Sequence, residues 1–412
     1  MSRGIKIQLL TWGTVFILMV GLILHIQQLL FVAATLALLA PISYLFSRTT
    51  LRGLQVNRGL PPHMTAGETH EVALTVVNAS SRSRPAFWLE DVLPEGLSRA
   101  DDGADLVLDL APRESRQIRY PLTAQHRGPF RLGPLRFFAS DVLALHHFEK
   151  TLNTRDELLV YPRIVPLPDL WPRSPADRAS PRRTRRRPGG IDPRGTREYA
   201  PGDDLRHIHW KVSARRGRLM IVEREQAEGL RATVLLDLNS TVHTGQGRES
   251  TLEYGVTLAA SLIAQALDEG GSAGLMAKGE HEYSVPPESN PAQRWRLLEA
   301  LARVETTRDA PVPQLALAMV KNLPRGSAVA IITPQTGPEM ISLAGLLASR
   351  GFRVIWFLLV APTFELHQPQ DLREERYQQL AADLRRRGQS AYLIRAGGGV
   401  EASLGRGLRE AG

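Results

Sequence analysis

A long uncharged stretch near the N-terminus constrains the fold more than any other feature of this sequence. No Lys, Arg, Asp or Glu occurs between Lys6 and Arg48, and residues 9–24 and 29–46 are almost wholly apolar. A single helix of about 40 residues would be about twice as long as the hydrocarbon core of a bilayer is thick. The sequence therefore predicts two transmembrane helices, joined as a hairpin within residues 1–52, rather than a cleavable signal peptide.

Basic residues flank both ends of this stretch and predict its orientation. Arg3 and Lys6 precede the first span, and Arg48, Arg52 and Arg58 follow the second. Because basic residues concentrate on the cytoplasmic side of membrane helices, both ends of the hairpin are expected there. We therefore expect a multi-pass protein of the inner (cytoplasmic) membrane whose soluble domains face the cytoplasm.

Residues 53–166 have the pattern of an all-β domain. Short alternating runs such as 70–77 and 116–120 are separated by turn signals, and no helical period interrupts them. Strands at this spacing predict a small β-sandwich. The segments 66–68 (Ala-Gly-Glu) and 76–78 (Val-Val-Asn) resemble those of Ig-like modules in bacterial surface and membrane proteins, which implies an Ig-like sandwich.

The basic charge of the chain is concentrated between its predicted domains. The formal net charge is +9, and residues 173–218 contain fourteen Lys and Arg against five acidic residues. Residues 162–190 are expected to be an exposed linker, and the arginine run 182–187 a solvated one. A nucleic-acid-binding fold more often spreads its charge over a whole face, so no nucleic acid is expected as a partner. A nucleic-acid binder acting through 182–187 remains an alternative, and the tract also suits anionic lipid or an acidic partner.

Residues 231–412 alternate between strand and helix patterns. Strands are predicted at 232–238, 273–277, 328–332, 353–360 and 391–395, and helices at 251–267, 293–304, 313–323, 340–349 and 372–387. Nearly continuous Val, Ile and Leu in the strands indicates a parallel sheet that is covered on both faces. The fold class is therefore multidomain, with a helical hairpin, an all-β sandwich and a doubly wound α/β domain.

The intervening segment 167–230 contains a dense polar signature in residues 197–218. It combines a Pro-Gly turn, adjacent carboxylates, two histidines, a tryptophan and five arginines. The residues expected to act together are Arg197, Glu198, Tyr199, Pro201, Gly202, Asp203, Arg206, His209, Trp210, Ser213 and Arg215. We interpret them as an ion-paired clamp rather than a metal site, with Trp210 buried against a strand at 219–222.

This signature resembles that of the domain-of-unknown-function 58 family, a group of bacterial and archaeal, usually membrane-anchored proteins to which no chemistry is assigned. The signature and the α/β pattern together resemble a von Willebrand factor A-like arrangement over residues 231–412. The resemblance also implies association with a MoxR-type AAA+ ATPase as protein partner.

A von Willebrand factor A-like domain often carries a Mg²⁺ site, and the resemblance places a degenerate one here. Its ligands would be Asp237, Asn239, Thr241 and either Thr306 or its neighbour Thr307, while Thr333 stands where a second aspartate is usual. One carboxylate with amide and hydroxyl oxygens binds Mg²⁺ weakly at most. We therefore expect no cofactor, and we expect Asp237 and Asn239 to cap the loop and the following helix.

No complete catalytic constellation occurs in the sequence. Residues 270–274 match G-x-S-x-G, but they follow a helix and precede a strand, the reverse of a nucleophile elbow. With no cysteine, disulfides and a thiol nucleophile are excluded. We therefore predict a membrane-anchored adaptor that partners the ATPase in assembling or remodelling complexes. The alternative is a metal-dependent hydrolase at the membrane that uses Asp237, Asp203 and His209.

Overall fold

The computed structural model describes residues 3–47, 49–99, 106–140, 146–171, 193–199, 210–224, 230–308, 312–365 and 371–411. The chain forms two compact units, Met1–Tyr161 and Pro162–Gly412. The first is β-rich after its N-terminal helices, and the second is α/β.

Two helices open the first unit, α1 (Arg3–Ile23) and α2 (Gln27–Ser47). They contact each other and are joined by a tight turn in which His25 has a positive φ of 54°. Among the described residues, one helical segment, Gln27–Leu45 of α2, is long and apolar enough to cross a membrane, and α1 contributes a shorter apolar segment, Gln8–Ile23. The predicted pair of helices is observed, and α2 is the candidate membrane span.

The β-rich character predicted for the region after α2 is confirmed. The strands are β1 (Leu54–Gly59), β2 (Met64–Thr65), β3 (Thr69–Asn78), β4 (Arg84–Asp91), β5 (Leu97–Arg99), β6 (Leu106–Leu110), β7 (Ser115–Ala124), β8 (Gly128–Leu132), β9 (Leu135–Ser140), β10 (His147–Leu152) and β11 (Asp156–Tyr161). They form four-stranded sheets in the orders β1-β3-β7-β5 and β10-β9-β4-β6, and a small sheet β2-β11-β8. Alternate residues of the strands, such as Val72, Leu74 and Val76 of β3, form the core.

A charged network lies inside this core. The guanidinium of Arg58 donates to both carboxylate oxygens of Asp91, at 2.7 and 3.1 Å, and also pairs with Asp156. Tyr120 donates its hydroxyl hydrogen to Asp91 over 2.6 Å. The side chains of Arg58 and Asp91 are fully buried, so each depends on the other for its charge to be compensated.

The second unit begins with a segment, residues 162–171, that packs on the helix Thr251–Asp268 of the same unit. Val165 donates its backbone N–H to Ser261 Oγ over 2.9 Å, and the Trp171 indole donates to the carbonyl of Leu262 over 3.2 Å. Both Val165 and Trp171 are buried. The prediction of an exposed linker is therefore wrong for Pro162, Val165, Leu170 and Trp171, which are buried, whereas Ile164 and most of the residues between them are exposed. Residues 172–190, which include 182–187, lie outside the described residues.

Residues of the signature follow as an antiparallel pair, β12 (Pro193–Glu198) and β13 (Met220–Arg224), with the short helix α3 (Trp210–Arg216) before β13. The pairing register shifts between Pro193 and Gly195 and is regular from there to the end of β12.

The α/β sheet comprises β14 (Arg231–Leu236), β17 (Ser272–Lys278), β18 (Glu282–Glu288), β19 (Ala328–Thr333), β20 (Arg353–Leu359) and β21 (Ser390–Ile394). A small hairpin, β15 (Gly245–Gln246) and β16 (Glu249–Ser250), lies outside it. The strand order is β18-β17-β14-β19-β20-β21, and β18 pairs antiparallel at the edge while the others are parallel. The five predicted strands are confirmed, whereas β18 was not predicted.

Helices cover both faces of this sheet. They are α4 (Thr251–Asp268), α5 (Gln293–Arg303), α6 (Val312–Asn322), α7 (Pro338–Ser349), α8 (Asp371–Arg386) and α9 (Gly399–Ala411). One face of the sheet, with Leu235, Ile331 and Trp356, packs against α6, α7 and α8. On the other face Gly255 of α4 lies against Leu236 and Ile332, whose bulk leaves little room for a Cβ. The doubly wound α/β prediction is therefore confirmed in its layers.

Candidate functional site

The candidate site lies where the strand order of the α/β sheet reverses. The chain runs from β14 outward to β17 and β18 on one side, and then returns to β19 on the other side of β14. In open α/β sheets ligands bind at the carboxyl ends of the strands at such a switch point, because the loops there diverge. Asp237 directly follows β14, and Thr333 is the last residue of β19.

The Asp237 carboxylate cross-links these two strand ends. Its side chain is fully buried, and its Oδ2 accepts hydrogen bonds from Thr333 Oγ1 at 2.6 Å and Gln335 Nε2 at 2.9 Å. Its Oδ1 accepts the backbone N–H of Asn239 at 3.0 Å. The Asp237 N–H donates to the carbonyl of Ile332 at 2.9 Å, which extends the strand pairing by one residue. The carboxylate is thus held by donors from both loops.

The same burial changes the protonation of Asp237. Removal from water raises the pKa of its carboxyl to about 6, although the hydrogen bonds from Thr333, Asn239 and Gln335 lower it in opposition. The group is consequently ionised at neutral pH and protonated in mild acid.

The loop after β14 is organised by its own side chains. Asn239 Oδ1 accepts from the backbone N–H of Thr241 at 3.1 Å and from its hydroxyl at 2.9 Å. Asn239 also pairs with Thr307 as an isolated β-bridge, with Ser240 N donating to Thr307 O at 2.9 Å. This bridge brings the loop that contains Thr306 beside the Asp237 loop.

His243 is a member of the site that the sequence reasoning missed. Its Nε2 hydrogen-bonds the Asp237 carbonyl at 2.9 Å, and its Nδ1 lies 2.9 Å from the hydroxyl oxygen of the buried Thr251. Burial lowers the pKa of His243, so the neutral ring donates from Nε2 and accepts the Thr251 hydroxyl at Nδ1. A single histidine in a loop carries no motif, and no sequence signal marks it.

The residues as arranged do not fit a Mg²⁺ site. Asp237 Oδ2 already accepts hydrogen bonds from Thr333 and Gln335, and the amide oxygen of Asn239 accepts twice from Thr241. Three hydrogen bonds already occupy the Asp237 carboxylate and two occupy the Asn239 amide oxygen, which leaves few lone pairs for a cation. Within the described parts of the chain no group of three or more His, Cys, Asp or Glu is placed to hold a metal ion.

The expected capping role of Asp237 and Asn239 is observed for the loop and is wrong for the helix. The N-cap of α4 is Ser250, whose Oγ accepts the backbone N–H of Glu253 at 3.2 Å. The hairpin β15–β16 lies between the Asp237 loop and α4 along the chain, and its last residue, Ser250, supplies the cap.

The structure places part of the signature. Arg197 and Glu198 lie in β12, opposite Ile221 and Met220, and Tyr199 N donates to Leu219 O at 2.8 Å. The buried Ser213 accepts the Met220 N–H at its Oγ over 2.8 Å, which fastens α3 to β13. Pro201, Gly202, Asp203, Arg206 and His209 lie outside the described residues, as do Asp204 and His207.

The predicted burial of Trp210 is wrong. Its side chain is 67% exposed, and Arg215 on the same helix is also exposed. In the run 219–222, interpreted from the sequence as a buried strand, Met220 is buried, whereas Leu219 is 44% exposed. The polar Ser213, rather than the indole, therefore anchors this part of the signature.

Comparisons with known proteins agree with the position of the signature. The family described as "Protein of unknown function DUF58" matches residues 195–361, a range that contains most of β12, Asp237 and Thr333. A relative from Bacillus subtilis (strain 168), "Uncharacterized protein YeaD", is 26% identical over 332 residues, which are 79% of this chain and 81% of YeaD.

Similarity to solved structures is weak. The conserved hypothetical protein BatB from Bacteroides thetaiotaomicron is 14% identical, with 44% of this chain covering 98% of BatB at a TM-score of 0.29. Trypsin-activated alpha-2-macroglobulin from Escherichia coli is 15% identical over 27% of this chain, at a TM-score of 0.23. This chain spans only 7% of the length of that macroglobulin.

Proposed function

We propose that this protein is a membrane-anchored adaptor that binds a protein partner at the carboxyl edge of its α/β sheet. The binding surface is the switch-point rim, which we define as Ser240, Thr241, Thr306 and Gln335. The partner is a MoxR-type AAA+ ATPase, and the pair assembles or remodels protein complexes at the membrane.

The observation that carries this proposal is the cross-link between Asp237 and Thr333. It holds two loops of the switch point in one arrangement, and the rim residues on those loops and the adjoining one are partly or fully exposed. Asp237 and His243 are enclosed by their own hydrogen-bond partners, so the rim presents hydroxyl and amide groups rather than a catalytic acid or base. Such a preorganised polar edge suits recognition of a partner surface.

The strand order supports a von Willebrand factor A-like interpretation of this unit. Numbered within the sheet, the order is 3-2-1-4-5-6 with strand 3 antiparallel at the edge, an order found in doubly wound α/β sheets. In our proposal the domain serves binding without depending on a resident cation, because the Asp237 and Asn239 oxygens are already engaged.

The anchoring part of the proposal rests on the apolar character of α2 and of the shorter α1. We place both helices across the inner membrane, and we place the β-rich part of the first unit and the α/β second unit in the cytoplasm. The exposed Arg52 is among the basic residues at the cytoplasmic end. Arg58 contributes less to this asymmetry than its position suggests, since it is buried with Asp91. Reporter fusions after residue 60 and at the C-terminus should both give cytoplasmic signals, and a periplasmic signal at either would refute this topology.

The binding proposal is tested with the full chain in lipid nanodiscs and a purified MoxR-type ATPase from the same organism. Ser240→Arg and Thr241→Arg place bulky charges on the rim and should weaken binding by at least about tenfold. Ser349→Arg, on an exposed residue at the opposite edge of the sheet, is the matched control and should bind normally. Equal affinity of all variants for the ATPase would place the binding surface elsewhere. A hydrolytic activity of this protein that Asp237→Asn abolishes would favour the hydrolase alternative instead.

A further inference from the structure

A small exposed surface on the second unit combines an aromatic ring with several arginines. We define the Trp210 patch as Trp210, Ala214, Arg215, Arg216, Arg218 and Leu219. All six residues are exposed, Trp210 by 67% and Leu219 by 44%. A surface that covered both the indole and the leucine would remove their apolar area from water, which is favourable.

The patch is held in place by the residues beneath it. Ser213 accepts the Met220 N–H at 2.8 Å, and both residues are buried. Tyr199 N donates to Leu219 O at 2.8 Å, which ties the end of the patch to β12. The backbone therefore presents Trp210 and Leu219 outward on a supported surface rather than on a loose end.

The charge of the patch is of one sign. The patch contains Arg215, Arg216 and Arg218 and no acidic residue. An anionic surface complements it. Tryptophan and leucine prefer the boundary between lipid headgroups and acyl chains, and arginine binds phosphate groups through paired hydrogen bonds.

We propose that the Trp210 patch docks on the anionic lipid headgroups of the membrane and holds the second unit against the bilayer. This inference rests on the proposed anchoring in one respect: a membrane-spanning α2 keeps the patch at a high effective concentration near lipid. Lipid is favoured over an acidic protein because the patch pairs two apolar side chains with dispersed cations, the composition of an interfacial anchor.

Site-directed spin labelling tests the docking in the full chain. The sequence has no cysteine, so Ala214→Cys gives a single labelling site within the patch, and Ser349→Cys gives a matched exposed site elsewhere on the unit. The chain is reconstituted in nanodiscs of phosphatidylcholine alone or with about one third phosphatidylglycerol, and access of a water-soluble nickel relaxant to the label is measured. We expect the Ala214→Cys label to be protected several-fold in the anionic discs alone, and the Ser349→Cys label to stay accessible in both.

Substitutions in the patch should remove this protection. Trp210→Ala removes the indole, and Arg215→Glu with Arg216→Glu reverses two charges that face the headgroups. The matched controls are Leu317→Ala, another exposed apolar residue, and Arg325→Glu with Arg350→Glu, which alter charge equally on exposed residues outside the patch. The patch variants should expose the Ala214→Cys label to the relaxant, whereas the controls should leave it protected.

Failure of docking is distinguishable from failure of anchoring. A chain that enters the nanodiscs while its Ala214→Cys label stays equally accessible in both lipids overturns the docking proposal and leaves anchoring intact. A chain that enters neither disc overturns anchoring, and flotation with anionic vesicles then tests the patch directly: we expect Trp210→Ala to lower the bound fraction about tenfold at limiting lipid. Lipid docking would also be refuted if Trp210→Ala floated with the vesicles as well as the unmodified chain does. The same holds if the variant lost binding to an acidic protein while its binding to lipid stayed unchanged.

Discussion

Thr333 donates its hydroxyl hydrogen to the Asp237 carboxylate over 2.6 Å, and both side chains are fully buried. The two residues lie at the carboxyl ends of β14 and β19, which pair side by side although β17 and β18 come between them along the chain. This hydrogen bond consequently sets the relative position of the loops that carry the switch-point rim, and its strength can be tested directly.

Replacing Thr333 by valine preserves shape and removes the hydroxyl that serves both Asp237 and the Gln335 backbone N–H. We expect a loss of about 1–3 kcal/mol in the free energy of unfolding, because a buried charged acceptor loses a donor. Thr233→Val is the matched control, since the buried hydroxyl of Thr233 has no hydrogen-bond partner among the described residues. Urea unfolding of the two variants should show the Thr333 change to be the costlier; equal stabilities would contradict the cross-link.

The raised pKa of Asp237 predicts a specific dependence of stability on pH. A carboxyl with a pKa near 4 when unfolded and about 6 when folded binds more protons in the folded state. The stabilisation that Asp237 adds to the free energy of unfolding is therefore fully present below about pH 4. It is lost as the pH rises to about 6 and above, by up to about 2–3 kcal/mol.

Asp237→Asn should remove that dependence. Relative to the unmodified chain, the variant should gain stability as the pH rises from about 4 to above about 6. Chemical unfolding at several pH values measures the difference. A gap between the variant and the unmodified chain that stays constant with pH would show that Asp237 titrates normally.

The exposure of Trp210 predicts that the indole contributes little to folding. Trp210→Ala should change the free energy of unfolding by about 0.5 kcal/mol or less, whereas Ser213→Ala should cost about 1–2 kcal/mol through loss of the bond to Met220. Trp356→Ala, at a fully buried ring, should cost about 3–5 kcal/mol and calibrates the measurement. Severe destabilisation by Trp210→Ala would restore the buried-clamp interpretation.

The ion pair of Arg58 and Asp91 should be essential to the stability of the β-rich part of the first unit. Asp91→Ala leaves the buried guanidinium with less compensation and the Tyr120 hydroxyl without its carboxylate, so we expect a loss of about 3–5 kcal/mol. Asp109→Ala removes an exposed carboxylate from a surface pair with Arg116 and should cost less than about 1 kcal/mol. Thermal unfolding of the full chain in detergent distinguishes the two, and similar costs would argue against a sheltered network.

Weak Mg²⁺ affinity is the expected consequence of the occupied oxygens at Asp237 and Asn239. Calorimetry should show no binding tighter than about millimolar. The fragment for this measurement begins at Pro162 rather than after the signature, because Val165 and Trp171 pack on α4. Micromolar binding that Asp237→Ala abolishes would contradict the expectation and revive the metal-dependent alternative.

Sequence periodicity was sufficient wherever an element is buried on both sides. The strand Ala328–Thr333 is buried at every position, and its unbroken apolar run predicted it. The edge strand β18 escaped prediction because it pairs on one side only, shows no fully buried position and contains two prolines. Helix α9 escaped for a related reason, since Gly399, Gly405 and Gly407 weaken its helical signal.

The misplaced Trp210 shows a different limit of sequence reasoning. Tryptophan is buried on average because of its apolar area, but burial of one ring requires a surface that packs against it. Ser213 and Met220 occupy the inner side of this segment, and the indole faces outward. The sequence pattern alone does not reveal whether the fold buries Trp210 or Ser213.

The sequence by itself determined the apolar N-terminal helices, the succession from a β-rich to an α/β region and the place of Asp237 at a strand end. Each of these depends on residues that are close together along the chain. Only the tertiary structure decided what Asp237 contacts. Thr333 and Gln335 lie 96 and 98 residues away in sequence, and they reach the carboxylate because the sheet places β19 directly beside β14. Hydrogen bonding acts over about 3 Å in space, so partners this distant along the chain are set by topology rather than by local pattern.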